Sequence, residues 1–347
     1  MRVLQLSDYH VHGGDGHPLN NICQRLHRRG HRVEVYTSDL KALPIPFRDE
    51  DSPIPITRFR GIRIGGKAIY PGMALALILR REFGIVHTHV AGFFSTFVAA
   101  LLKPLKGYPL VITADFDPAE PMPGPLKYPY FLLYRALPAR LADVVTAFTE
   151  KEKRELVRRF GVPVGRIAIL PIGIDYQRFA SPPRRDIRRE LGLEDRFVLL
   201  NVSFLLPKKN LEMVLQALAT LPEEVVFVHI GAAIDRGYKE RLEGEAARLG
   251  IRERTVFLED IPFEDFPEYY KAADAFVQPG FRESYAIPIL EAMASGIPVL
   301  ATEEGVAPEV VEEGATGFFI RSAEDLAARV RQLSEGGSMG KEMGARA

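Results

Sequence analysis

Seven residues separate two glutamates, Glu283 and Glu291, and the stretch between them reads as the start of a helix. A strand-like apolar run at 275–278 ends in the turn Pro279-Gly280. Pro288 suits a first helical turn, where its missing N–H costs nothing. Gly296 and Pro298 close the helix. Glu283 therefore precedes the helix and Glu291 falls inside it. The unpaired N–H groups at the helix head, near Ala286 and Ile287 and just after Tyr285, form an anion site. An acid before such a site and an acid after it can grip hydroxyls on both sides of a diphosphate. That is the shape of a nucleotide-sugar. An ordinary surface helix with two solvated glutamates has the same spacing, so the spacing alone does not decide.

Other residues carry chemistry at strand ends. Ser203-Phe204-Leu205-Leu206-Pro207-Lys208-Lys209-Asn210 follows a strand and opens a helix whose apolar face is Leu211, Val214, Leu215 and Leu218. Asn210 reads as its N-cap. Gly13-Gly14 follows the first strand and precedes the first helix, where missing side chains let backbone approach a ligand. The G-x-G-x-x-G dinucleotide fingerprint is absent there. Thr113-Ala114-Asp115 ends another strand, with Asp117 close by. The pairs His10/His12 and His87/His89 sit at i and i+2, which share one side of a strand. Two metal ligands could arise this way, but no further ligand motif accompanies either pair. Polar residues of a cleft are the favoured reading over a zinc site, and no metal is expected.

The elements that must position these groups alternate between strand and helix. In the first half, strands are expected at 3–6, 33–36, 62–64, 85–87, 110–113, 144–147 and 167–170. Helices are expected over Leu19, Ile22, Cys23 and Leu26, closed by Gly30, and near 73–82, 93–102, 126–141 and 150–160. In the second half, strands are expected at 198–202, 225–230, 256–258, 275–278, 299–301 and 318–320. This alternation predicts an α/β protein with parallel sheets covered by helices on both faces. Two Rossmann-like domains follow, 1–172 and 173–347, with a turn-rich boundary near 171–183. Ligands of such sheets bind beyond the strand C-termini, so the cleft between the domains is the expected site. The Pro-rich stretch 118–129 reads as a mobile loop. The aromatic clusters Phe93/Phe94/Phe97 and Tyr128/Tyr130/Phe131/Tyr134 read as core, with a fraction available to a lipid-facing acceptor groove.

Composition bounds the class. The 347 residues suit two domains, and the formal net charge is zero. Residues 1–172 carry 24 Lys plus Arg against 15 Asp plus Glu, net +9. Residues 173–347 carry 21 against 30, net −9. The basic half would favour an anionic lipid surface, or the two halves would attract each other. A scattered solvated surface accounts for the same numbers. No feature points to nucleic acid. The single cysteine, Cys23, excludes an internal disulfide, fits a reducing compartment, and reads as core. Met1 to Leu6 meets Ser7-Asp8 at once, so no signal peptide is visible. The longest apolar run, 90–102, is shorter than the ~20 residues of a membrane span. A cytoplasmic protein, with membrane association at most peripheral, is the expectation.

The run Glu283 to Glu291, with Ser284-Tyr285-Ala286-Ile287-Pro288-Ile289-Leu290 inside it and Ala292-Met293-Ala294-Ser295-Gly296 after it, resembles the E-x7-E signature of retaining glycosyltransferases of family 4. The resemblance covers nearly the whole chain. It includes Gly13-Gly14, Arg29-Gly30-His31-Arg32-Val33, Ala142-Asp143 and the segment Pro171-Ile172-Gly173-Ile174-Asp175. It implies the GT-B fold, two Rossmann-like domains facing across a cleft. It also implies donor binding by the C-terminal domain and acceptor binding by the N-terminal domain. Glu291 would hold ribose hydroxyls and Glu283 sugar hydroxyls. Gly14, Ser203, Lys208, Lys209, Tyr285, Ala286 and Ile287 would surround the donor. Glu283, Lys209 and Asp115 are the implied catalytic positions, and His89, Asp115 and Asp117 lie on the acceptor side. Transfer would be front-face and metal-free, the leaving phosphate taking the acceptor proton, and the nucleotide-sugar would be a substrate rather than a cofactor. The acceptor would be a carbohydrate or a lipid.

Three departures stand out. Phe204 occupies the position of a phosphate-binding Arg, and phenylalanine binds no phosphate oxygen. Asp115 occupies the position of a His, and a carboxylate cannot copy a neutral imidazole's donor–acceptor pair. In Ala301-Thr302-Glu303-Glu304-Gly305-Val306-Ala307-Pro308-Glu309, Val306 replaces the second Gly of the family's Gly-Gly-x-x-Glu loop. The chain also stops where the family continues into a helix that crosses back to the first domain, which implies a shortened form. Phe204, Asp115 and the short C-terminus carry the competing expectation, a nucleotide-sugar-binding or regulatory subunit with little activity. A sugar-nucleotide epimerase is a more distant alternative.

Overall fold

The computed structural model describes residues 1–9, 18–40, 52–64, 67–80, 83–116, 124–125 and 127–347. His10, His12, Gly13, Gly14 and Asp117 lie outside these residues. The chain divides into two compact units, Met1–Gly173 and Ile174–Ala347.

The first unit contains β1 (Arg2–Leu6), β2 (Arg32–Ser38), β3 (Ile56–Phe59), β4 (Ile62–Ile64), β5 (Lys67–Ile69), β6 (Ile85–His89), β7 (Leu110–Thr113), β8 (Val144–Ala147) and β9 (Ile167–Ile169). Seven of them form one parallel sheet in the order β3-β2-β1-β6-β7-β8-β9. The second unit is a six-stranded parallel sheet of β10 (Phe197–Val202), β11 (Val225–Ile230), β12 (Thr255–Leu258), β13 (Ala275–Gln278), β14 (Val299–Ala301) and β15 (Gly317–Phe319). Its order is β12-β11-β10-β13-β14-β15. Both sheets reverse their strand order once, between β1 and β6 and between β10 and β13. Side-chain-lined crevices open at the strand C-termini of such reversal points.

The strands read as apolar runs because helices cover both faces of each sheet. Every residue of β11 and β13 is buried. The first core gathers Leu4, Leu6, Val86, Ile112 and Val145 from the strands with Ala99, Ala139 and Phe160 from the helices. Cys23 belongs to a smaller cluster with Leu19, Val33 and Val35. Burial pushes its thiol up to about 12, so it stays neutral and inert.

Several expectations change. The strand expected at 62–64 is β4, and it lies outside the main sheet, in an antiparallel hairpin with β5. Its residues are exposed, whereas the edge position of the sheet belongs to β3. The helix expected to stop near residue 102 runs as Phe94–Lys106, with Pro104 inside it. Pro104 falls in the last turn, where it forgoes a single N–H bond, the one back to the Ala100 carbonyl, and Gly107 ends the helix in the left-handed region. The helices expected at 126–141 and 150–160 both change pitch: Leu132–Ala136 and Leu156–Phe160 are π-helical. Of the loop expected at 118–129, only 124–125 and 127–129 are described, and Tyr128 already begins a helix. Asn210 precedes the Leu211–Leu218 helix but its side chain does not cap it. Asn210 adopts the left-handed region (φ 52°), and its Nδ2 donates instead to the Pro279 carbonyl at 3.3 Å.

Candidate active site

In the second unit the reversal point brings the 203–210 segment against the 279–286 loop. Three bonds fix that loop. Phe281 N–H donates to the Lys208 carbonyl at 3.0 Å, Asn210 Nδ2 to the Pro279 carbonyl, and Thr302 Oγ1 to the Gly280 carbonyl at 2.5 Å. The chain therefore reaches residue 283 in one defined path. Glu283 is buried, and its Oε1 accepts from Lys209 Nζ at 2.7 Å and from Gln278 Nε2 at 3.2 Å. Gln278 is the last residue of β13, so the sheet itself holds the carboxylate. Oε2 remains to accept from a ligand hydroxyl, and the Lys209 ammonium keeps two further N–H donors.

Gly280 is required by this arrangement. A Cβ there would lie 2.6 Å from Glu283 Oε1 and 3.4 Å from the Lys208 carbonyl oxygen. Gly280→Ala is expected to displace the Glu283 carboxylate and lower activity at least tenfold, with a melting temperature little changed. Steady-state kinetics beside a thermal melt checks this, and wild-type kinetics in the variant would show that Glu283 can shift freely.

The loop ends in strain. Arg282 (φ 62°) and Ala286 (φ 67°) both occupy the left-handed region, which costs a non-glycine residue about 1 kcal/mol or more. Ala286 stands at the head of the Ile287–Ala294 helix, with Pro288 in its first turn as expected. Among the described residues no hydrogen bond from the N–H groups of Ala286 and Ile287 is found, and unpaired donors at a helix head favour an anion. Tyr285 is buried, and its carbonyl accepts from Val306 N–H at 2.7 Å, which ties the site to the 302–309 loop.

Glu291 is buried on the same helix, and Tyr270 Oη donates to its Oε2 at 2.8 Å. Burial lifts its carboxyl to about 7, against the opposing pull of the Tyr270 bond and of Arg178. Ser203 has less freedom than its position suggests. Its N–H donates to the Ile230 carbonyl at 3.0 Å and its hydroxyl to Asn201 Oδ1 at 2.8 Å. It meets a ligand only as an acceptor. Lys208 is exposed, and Phe204 is 42% exposed, so neither side chain is consumed by the core.

The acceptor-side positions belong to the first unit. His89 ends β6, is buried, and its Nε2 is hydrogen-bonded to Gln5 Oε1 of β1 at 2.8 Å. His87 lies beside it, ring centroids 4.4 Å apart, with Nε2 2.8 Å from Thr113 Oγ1. Burial lowers His87 to about 4, so it is neutral. Both imidazoles thus engage the polar side chains of neighbouring strands. Among the described residues no group of three or more His, Cys, Asp or Glu is arranged to hold a metal. Asp115 is half-buried two residues beyond β7, in the left-handed region (φ 38°), as is Val90 just beyond His89 (φ 68°). A β-branched residue rarely adopts that conformation, so the chain just beyond β6 is held under strain at Val90, whereas an aspartate such as Asp115 tolerates it.

Three carboxyl or hydroxyl groups escaped sequence reasoning. Asp8, buried just after β1, accepts from Phe94 N–H (2.8 Å), Ser95 N–H (2.9 Å), Ser95 Oγ (2.7 Å) and Tyr70 Oη (2.8 Å). It caps the Phe94–Lys106 helix from a distant strand. Burial raises its carboxyl, and these four bonds oppose the rise. Glu152, wholly buried, accepts from Phe148 N–H (2.6 Å) and Phe116 N–H (3.3 Å), pinning the residue next to Asp115. Burial and the nearby Asp115 lift it to about 8. The Thr149-x-x-Glu152 spacing is a capping-box signature that could have flagged it. Tyr270 carried no such signal.

Residues 183–347 match the family described as Glycosyl transferases group 1, and residues 13–178 match Glycosyltransferase Family 4. A D-inositol 3-phosphate glycosyltransferase of Geodermatophilus obscurus is 31% identical, over 92% of this chain and 78% of that protein. The chain belongs to the family 4 glycosyltransferases. This glycosyltransferase is also 36% identical, over 52% of its length and 49% of the other's, to a GDP-mannose-dependent alpha-(1-6)-phosphatidylinositol monomannoside mannosyltransferase of Mycolicibacterium smegmatis. Its fold is shared with Anabaena HepE, solved in complex with UDP, at a TM-score of 0.85 and 23% identity, covering 100% of this chain and 93% of that one. The two parallel sheets of this glycosyltransferase are therefore those of the GT-B fold.

Proposed function

We propose that this glycosyltransferase moves a sugar from a nucleoside diphosphate sugar to a hydroxyl of an inositol-containing or related carbohydrate acceptor, with retention at the anomeric carbon. The observation that carries the donor reading is the buried Lys209–Glu283 contact at the head of the helix that bears Glu291. Glu291 accepts from ribose hydroxyls, and Glu283 Oε2 accepts from hydroxyls of the sugar. The diphosphate lies between them, against the N–H groups of Ala286 and Ile287. As the bond from the anomeric carbon to the phosphate oxygen breaks, charge builds on the diphosphate. Lys209 and the helix head stabilise it, the electrostatic contribution that grows only in the transition state. The acceptor oxygen bonds to the anomeric carbon from the same face, and its proton passes to the departing phosphate. The charge is met by protein groups, so activity should survive chelation of divalent metals. The acceptor reading draws on the inositol-linked substrates in the names of the two relatives above.

A thermal-shift panel of UDP-, GDP- and ADP-sugars, followed by detection of released nucleotide, tests the donor reading. One nucleotide class should raise the melting temperature and be released when acceptor is added. No shift with any of them would remove the donor site.

Position 204 offers a separate check. Phe204→Arg is expected to tighten nucleoside diphosphate binding, because the side chain is half exposed and the family's cation is missing there. One charge-assisted contact is worth about 1.5–3 kcal/mol, or about tenfold to a hundredfold in Kd. Equal or weaker binding by calorimetric titration would assign the second phosphate contact to Lys208 instead.

A further inference from the structure

Of the twenty large hydrophobic side chains exposed among the described residues, sixteen belong to the first unit. Five of these stand on two helices that pack together, Pro71–Leu79 and Phe94–Lys106. Leu75, Ile78 and Leu79 fall at i, i+3 and i+4, one face of the first helix, while Met73 and Leu77 are buried on the other. Leu101 and Leu105 fall at i and i+4 of the second helix, opposite Ala99 and Ala100, which are buried. The first helix, Pro-Gly-Met-Ala-Leu-Ala-Leu-Ile-Leu, contains no polar side chain at all. A helix apolar all round is normally covered all round. This one leaves Leu79 70% exposed, and its neighbour leaves Leu105 82% exposed. The two exposed ends meet, because Lys106 Nζ donates to the Ile78 carbonyl and, at 3.3 Å, to the Arg80 carbonyl.

Charge indicates what covers the face. Neither helix carries a carboxylate, while Lys103 and Lys106 close the second helix and Arg80 follows the first. Lys103 pairs with Asp143 and Arg80 with Glu34, but among the described residues Lys106 meets only neutral carbonyls. The half of the chain that bears the face has a net charge of +9. A second copy docking by two-fold symmetry would set this basic apolar face against itself. An anionic bilayer would take the leucines into its headgroup boundary and neutralise Lys106. No helix among the described residues is long and apolar enough to cross a membrane, so the contact is with one leaflet.

We infer that the face formed by Leu75, Ile78, Leu79, Leu101 and Leu105 docks this glycosyltransferase on the surface of an anionic phospholipid membrane. The inference does not depend on the acceptor being a lipid, since it rests on residues assigned no role in transfer.

Co-sedimentation of the full chain with phosphatidylcholine vesicles, with and without phosphatidylglycerol, tests it. Wild type should bind the anionic vesicles, release from them as salt rises, and bind neutral vesicles more weakly. The Leu79→Asp/Leu105→Asp variant should lose binding by more than about tenfold. Ile234→Asp, the same change at an exposed apolar site of the second unit, should retain it. Far-UV circular dichroism and a melting profile like that of wild type show that each variant is folded in both units. If the aspartate pair melts early, Leu79→Ala/Leu105→Ala removes apolar area without adding charge and carries the same comparison. Wild type that ignores anionic vesicles, or a double variant that binds like wild type, overturns the inference. So does light scattering that finds a dimer which the double variant dissolves, because the face would then belong to a second copy.

Discussion

Lys209→Ala is expected to lower kcat by about a hundredfold to a thousandfold, the usual cost of removing one preorganised stabiliser of developing charge. Donor affinity should fall far less, since the charge it meets is largest in the transition state. A second effect accompanies the first. Lys209 Nζ lies 2.7 Å from a nearly buried Glu283 carboxylate, and removing the cation leaves that charge without its ionic partner. Breaking such a pair costs about 3–5 kcal/mol of stability. Glu283→Gln in the Lys209→Ala background should recover much of that stability, because a neutral amide tolerates burial, but should not recover turnover. Steady-state kinetics and chemical denaturation of the single and double variants separate the two roles. A rise in KM alone would make Lys209 a plain binding residue.

Glu291→Ala is expected to weaken nucleoside diphosphate binding by about tenfold to a hundredfold, through loss of hydroxyl bonds to a charged acceptor. The carboxyl also makes binding depend on pH. Glu291 titrates near 7 in the folded protein, above its ordinary 4.5. Its carboxylate, the better acceptor for two ribose hydroxyls, therefore forms between about pH 6 and about pH 8, and affinity should rise across that range. Stability of the ligand-free protein moves the other way. A raised carboxyl contributes fully below 4.5, and the contribution is lost as pH rises through about 7. Glu291→Gln should flatten both trends. Calorimetric titration at three pH values reads the first, and unaltered pH dependence in the Gln variant would take Glu291 out of the site.

How much of this was legible depends on where each group finds its partners. The donor loop could be read because its signals are local: Pro288 opens the helix, Gly296 closes it, and Glu283 and Glu291 flank its head. Central strands such as β11 and β13 could be read because burial on both faces leaves an unbroken apolar run. The β4 segment, Ile-Arg-Ile, also reads as a strand, yet Ile62 and Ile64 are exposed, because an alternating apolar pattern fits a hairpin ribbon as well as a sheet strand. Asp8 was invisible because its partners, Tyr70, Phe94 and Ser95, come from far along the chain. Tyr270 was invisible for the same reason, since only the fold brings its hydroxyl to Glu291. Asn210 failed as a cap because it adopts the left-handed region rather than the extended backbone from which a cap oxygen reaches the helix N–H groups.

The central claim is retaining transfer from a nucleoside diphosphate sugar. Its most direct test is proton NMR of the product formed from the donor that the thermal panel selects, with a soluble inositol phosphate as acceptor. The predicted result is a glycoside with the donor's anomeric configuration, formed one for one with free nucleoside diphosphate. A product of inverted configuration, or no glycoside from any donor that binds, would contradict it.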